Sequence, residues 1–175
     1  MLDVLLSLLE IFYNLLLCIL IGWFSFFLFS KLTKNIDELK EIKENNCAVA
    51  LILAATLLSV AMIIKQASFP MISIFQTIIE KGISFGGLIK ILGISLSAIL
   101  ISMAISVIAI WLAIQIFIRS TKEIDEWNEI KKNNTAIAII LAALILIVGI
   151  LMGQAIESLL DSIVPGPILE KIQVM

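Results

Sequence analysis

The residues with chemistry to offer are few, and most of them sit beside or inside long apolar runs. In the first run Asp3, Ser7, Glu10 and Asn14 recur at i, i+4, i+7 and i+11, which puts them on one helix face. Counting back from Phe29 by about 20 residues, the span of a bilayer core, places Glu10 at the membrane boundary. Asn14 then falls about 6 Å inside it. Glu10, an ionisable group at that boundary, is a candidate proton or cation site; a wetted interfacial carboxylate is the simpler reading. Ser102 and Ser106, one turn apart in a later run, add a hydroxyl-bearing face. With Glu10 and Asn14 they make up a candidate intramembrane polar site. Asp37, Glu41, Asp125 and Glu129 could ring a pore mouth and attract cations, although a solvated helix face is the simpler account of them.

Other chemistry lacks its residues. There is no histidine, hence neither the commonest general base nor the commonest metal ligand. Cys18 and Cys47 share no spacing that would mark a disulfide or a metal site. No nucleophile–base pair, metal cluster or phosphate-cradling glycine loop is recognisable. The chain is therefore read as non-enzymatic and without a cofactor. A net charge of -2 points to no nucleic-acid partner.

The elements that position these residues follow from composition. Of 175 residues, 61% are hydrophobic and 15% charged, with mean hydropathy +1.15. Such a chain has too little polar surface to cover a core in water, so lipid is its expected solvent. Four runs are long enough to cross a bilayer: 11–29, 48–64, 99–118 and 136–155. Met1-Leu2-Asp3 has no basic leader, so the first run is expected to stay as a span. Charged linkers, 31–46 and 119–134, join the first run to the second and the third to the fourth. They hold Lys31, Lys34, Lys40, Lys43, Arg119, Lys122, Lys131 and Lys132, eight of the twelve basic residues. The positive-inside rule predicts both linkers on the cytoplasmic side of the cell membrane, with both termini and the 66–87 loop outside. Lys65 and Lys90 can snorkel to the interface.

The chain repeats itself at a spacing of 88 residues. TKNIDELKEIKENNCAVALILAA (33–55) and TKEIDEWNEIKKNNTAIAIILAA (121–143) differ at only seven of 23 positions. The register extends to Trp23 with Trp111, Phe29 with Phe117, Gln66 with Gln154 and Ser7 with Ser95. Each unit contains two crossings, which predicts tandem parallel repeats about an axis along the membrane normal. Residues 1–87 form the first unit with its outer loop, and 88–175 the second with an outer C-terminal tail. The expected fold is an all-α integral membrane protein of four transmembrane helices.

The motif resembles a family of bacterial and archaeal inner-membrane proteins, domain of unknown function 350. The likeness is carried by Ile36-Asp37-Glu38 through Asn46-Cys47-Ala48-Val49-Ala50, and by Ile124-Asp125-Glu126 through Asn134-Thr135-Ala136-Ile137-Ala138. Asn45 and Asn133 stand where that family often has glycine, and Ala55 and Ala143 replace glycines further along. The resemblance implies an inner-membrane location and this fold, with no established activity. Its suggested link to envelope stress would make other membrane or stress proteins partners.

Within the motif, apolar residues recur every third position: Ile36, Leu39 and Ile42, then Ile124, Trp127 and Ile130. Each linker is thus expected to contain a short amphipathic helix at the membrane surface, with Ser120 and Glu123 forming a capping box in the second. Asn45 and Asn133 suit the left-handed residue that ends such a helix, and Asn46 and Asn134 suit the cap of the next. On that reading each cap is worth about 1 kcal/mol and the two are independent. Ala50/Ala54, Ala138/Ala142 and Gly149/Gly153 are small pairs one turn apart, expected at helix–helix contacts. Residues 68–87 mix apolar and polar types and are expected to cap the outer surface. The function expected is that of a non-catalytic oligomeric membrane component partnered by the bilayer and by its own copies. A small ion or solute channel or transporter built on the duplicated unit is the alternative.

Overall fold

The computed structural model describes residues 2–33, 36–66, 85–121 and 124–163. These form six helices: α1 (Leu2–Leu32), α2 (Glu38–Lys43), α3 (Cys47–Gln66), α4 (Phe85–Ser120), α5 (Glu126–Lys131) and α6 (Thr135–Ile163). The expected outer cap, apart from residues 85–87, and the C-terminal tail from 164 lie outside the described residues. Pro70, Pro165 and Pro167 also fall outside these helices, so no ring interrupts an i→i−4 ladder. Helices α1, α3, α4 and α6 are each long and apolar enough to cross a membrane. The protein is a multi-pass membrane protein. The 20 residues of α3 span about 30 Å, close to one hydrocarbon thickness. At 36 residues α4 exceeds that need and must tilt or project beyond the bilayer.

Helix α3 is central. It packs against α6 most extensively, and also against α1 and α4; α4 in turn packs on α6. Over half of its span is buried, against 22% for α1. Ile52, Val60 and Ile64 of α3 pack in one cluster with Ile110 of α4 and Leu141 and Ile145 of α6. Nearer the other end, Ile63 joins Ala98 of α4 with Ile156 and Leu160 of α6.

The crossing of α3 and α6 depends on glycine. A Cβ on Gly149 would lie 2.2 Å from Ser59 Oγ and 2.8 Å from Ser59 Cα, so no larger residue fits without the backbones parting. At Gly153 the nearest atom would be the Met62 carbonyl oxygen at 3.2 Å, a tight but lesser contact. In a membrane, where water drives no association between helices, such close approach supplies the dispersion contacts.

Packing does not follow the sequence repeat strictly. A twofold would duplicate the Ser59–Gly149 contact between Ile147 and Ala61, yet Ile147 is largely exposed. Likewise Ala138 and Ala142 are buried, whereas their counterparts Ala50 and Ala54 face outward. The cause is the arrangement of neighbours: α4 covers both α3 and α6, while α1 packs mainly on α3.

The linkers depart from expectation at one point. Ser120 is still helical and its hydroxyl donates back to the Ile116 carbonyl (2.8 Å), so it is not the cap of α5; its expected capping-box partner, Glu123, lies outside the described residues. Asp125 does that instead, accepting from the Asn128 N–H at 3.3 Å, as Asp37 accepts from Lys40 N–H at 3.1 Å in the first linker. The longer α4 consumes the serine, and the next short polar residue takes the role.

Candidate functional site

Polar chemistry concentrates where the two asparagine turns meet. Asn45 and Asn133 have φ of 59° and 62°, and they are the non-glycine residues with positive φ among those described. Asparagine tolerates this region better than other residues with a Cβ. In each turn two hydrogen bonds close the helix end. Asn45 N–H donates to Ile42 O (3.0 Å) and Asn46 N–H to Glu41 O (2.9 Å); Asn133 N–H donates to Ile130 O (3.0 Å) and Asn134 N–H to Glu129 O (3.0 Å). This paired 5→2 and 6→1 pattern is a Schellman motif.

The turns are then tied to each other. Asn46, only 5% exposed, uses its whole amide. Its Oδ1 accepts from Val49 N–H (3.1 Å), capping α3. Its Nδ2 donates to Glu41 Oε2 (2.7 Å) and across to the carbonyls of Ile130 (3.0 Å) and Lys131 (3.2 Å) at the end of α5. In the other direction Asn133 Oδ1 accepts from Ala48 N–H (3.0 Å) in the first turn of α3. Orphan donors at one helix start and orphan acceptors at another helix end thus satisfy each other through two asparagine side chains. The two turns therefore lie at the same end of the bundle.

The second turn is bound differently. Asn134 is half-buried, and its Nδ2 donates within its own turn to Glu129 Oε2 (3.0 Å). Glu129 also pairs with Lys132 at 3.0 Å. The Asn134 hydrogen bond, then the Lys132 hydrogen bond and charge, hold the Glu129 carboxyl below its ordinary value. Glu126 is buried and accepts a hydrogen bond from the Thr121 hydroxyl. The arrangement is a saturated joint: the donors and acceptors of Asn46 already have partners inside the protein.

The matched family model is described as Domain of Unknown Function (DUF350) and covers residues 3–156. The chain belongs to this family. No curated protein and no solved structure matches it. The DUF350 match contains both asparagine turns and most of the four spanning helices.

The remaining candidates of this DUF350 protein are not gathered into one site. Glu10 and Asn14 are exposed on α1, whereas Ser102 and Ser106 are wholly buried on α4. The Ser106 hydroxyl donates to the Ser102 carbonyl at 2.7 Å. The hydroxyls of Ser102 and Ser59 are buried with no hydrogen-bond partner among the described residues. Ser59 escapes a sequence reading because a lone serine in an apolar run carries no signal of which neighbour it will meet. A second feature also escapes it: a cavity of about 310 Å³ beside Gln115, Trp111 and Trp127, at the linker end of α1 and α4. Its available signal is Gln115, an amide in an apolar span where the first repeat has Phe27.

Proposed function

We propose that this protein is a non-catalytic structural component of the cell membrane that assembles with copies of itself. Both repeats cross in the same direction, the linkers are cytoplasmic and the termini are outside. The observation that carries this reading is the α3–α6 crossing, where Ser59 and Gly149 meet too closely for even a Cβ between them. A bundle whose central pair is closed in this way is built for rigid packing. The cytoplasmic placement is supported by the basic linkers, whose two turns are joined to one another through Asn46 and Asn133. Self-association is supported by Ala50 and Ala54, a small-residue face of the central helix that the chain's own helices leave exposed. A helix of a second copy could approach closely there.

Mass measurement of the purified protein in mild detergent tests the assembly. The expected result is a discrete oligomer that Ala54→Ile weakens, and a monodisperse single chain would refute it. A second reading, a small channel or transporter, is favoured by the unpartnered hydroxyls of Ser59 and Ser102, since buried hydroxyls normally have partners. Tracer flux in liposomes that exceeds that of empty vesicles and falls in Ser102→Ala would establish that reading in place of the first.

A further inference from the structure

The cavity at the linker end of α1 and α4 is graded from polar to apolar in the way a lipid is. Its lining includes Lys31 on α1, Trp111, Ile114, Gln115 and Ile118 on α4, and Trp127 on α5. Lys31 lies in the last turn of the span 10–32, and Gln115 and Ile118 in the last turns of the span 92–120. The cavity therefore straddles the boundary between hydrocarbon and headgroups, the depth at which tryptophan is favoured. Among the described residues Lys31 has no carboxylate partner; its ammonium sits 5.7 Å above the Phe27 ring. Of the carboxylates next to Trp127 in the chain, Asp125 is occupied in capping α5 and Glu126 accepts from the Thr121 hydroxyl.

The repeat sharpens the case. Gln115 corresponds to Phe27, which stacks on Trp23 with ring centroids 5.9 Å apart, and Trp127 corresponds to Leu39. Both exchanges fall in the lining of this one cavity. They place a half-buried amide, without a hydrogen-bond partner among the described residues, at a depth where water is scarce. A polar group so placed gains most from a ligand that brings its own acceptors. At about 310 Å³ the cavity is at the small end for ligand sites, room for a headgroup and glycerol with acyl chains left in the bilayer.

We propose that this cleft binds the headgroup of an anionic phospholipid, with the phosphate beside Lys31, the ester region at Gln115 and the first acyl carbons along Ile114 and Trp111. Basic pockets between spanning helices at a membrane face have the chemistry for this. The inference needs only the membrane-spanning assignment and holds whichever way the linkers face, so it can fail while the structural role stands.

The test uses the full chain with Trp23→Phe, which leaves Trp111 and Trp127 to report, in vesicles carrying phospholipids brominated on the acyl chains. Quenching by brominated phosphatidylglycerol is compared with that by brominated phosphatidylcholine of the same chains. The expected result is a preference for the anionic lipid of about fivefold, the effect of one cation near the surface. Lys31→Gln should remove most of it, Lys31→Arg should retain it, and Gln115→Phe should reduce quenching by both lipids. Equal quenching by the two lipids in the Trp23→Phe protein would overturn the proposal, whatever the variants do. So would a preference that survives Lys31→Gln, or displacement of the brominated lipid by millimolar inorganic phosphate, which would mark a site for soluble anions.

Discussion

Replacing Asn46 by leucine should destabilise this protein far more than the same change at Asn134, although the two residues occupy matched places in the repeat. In Asn46→Leu the Val49 N–H loses its cap, a loss of about 1 kcal/mol. The Ile130 carbonyl, in a buried hydrogen bond, and the Lys131 carbonyl, in a partly buried one, lose the amide that crosses to them. An unsatisfied buried acceptor costs about 1–3 kcal/mol. Counting one carbonyl in full and the other as partly rescued by water gives a total of about 3 kcal/mol. Asn134→Leu removes one bond to a carboxylate that keeps its Lys132 partner, so about 1 kcal/mol is expected. Asn46→Ser retains a cap but cannot reach across, and should fall between. Because Asn46 and Asn133 tie the same two turns, Asn46→Leu and Asn133→Leu should couple by at least about 0.5 kcal/mol, while Asn46→Leu and Asn134→Leu should couple less. Chemical denaturation in detergent micelles, followed by circular dichroism, measures the wild type, the four single variants and the two double variants. Equal losses for Asn46→Leu and Asn134→Leu would refute the crosslinked joint and return both residues to the role of simple caps.

Gly149→Ala should already cost about 1–3 kcal/mol because its Cβ meets the Ser59 backbone, while Gly153→Ala, with 3.2 Å to a carbonyl, should cost less; thermal melts showing the reverse order would contradict the α3–α6 crossing. Single cysteines at Lys40 and Ser120, in a background lacking the exposed Cys18 and Cys47, should react with impermeant maleimide only after the cytoplasmic side is opened, and labelling in intact cells would invert the topology. Since Glu129 is held below its ordinary value of 4.5, its contribution to folding is present above that pH and is lost as pH falls through the lower folded value. Asn134→Leu removes the largest cause, so the Glu129 carboxyl should titrate nearer 4.5 by carbon NMR, and an unchanged titration would deny the hydrogen bond.

Much of this architecture is readable from the chain because its causes are local. Hydrophobic transfer adds residue by residue, so four spans follow from 61% apolar content arranged in four runs. Helix termination is also local: after α2 and α5 the left-handed conformation falls to Asn45 and Asn133, residue types that tolerate it. The missed cap at Ser120 marks the limit of local reasoning, since helix ends shift by a few residues and a neighbouring aspartate can serve as well. What the tertiary structure alone decided is which copy of each matched residue is buried. Ala50 and Ala138 are the same letter in the same motif, yet one faces outward and the other packs inside, because α4 covers both central helices and α1 covers mainly α3. In the same way Asn46 became a crosslink and Asn134 an ornament of its own turn only when α5 came to lie against the start of α3. A sequence repeat specifies two equal units; packing four helices with unequal neighbours makes them differ, because each face is buried by whatever lies beside it.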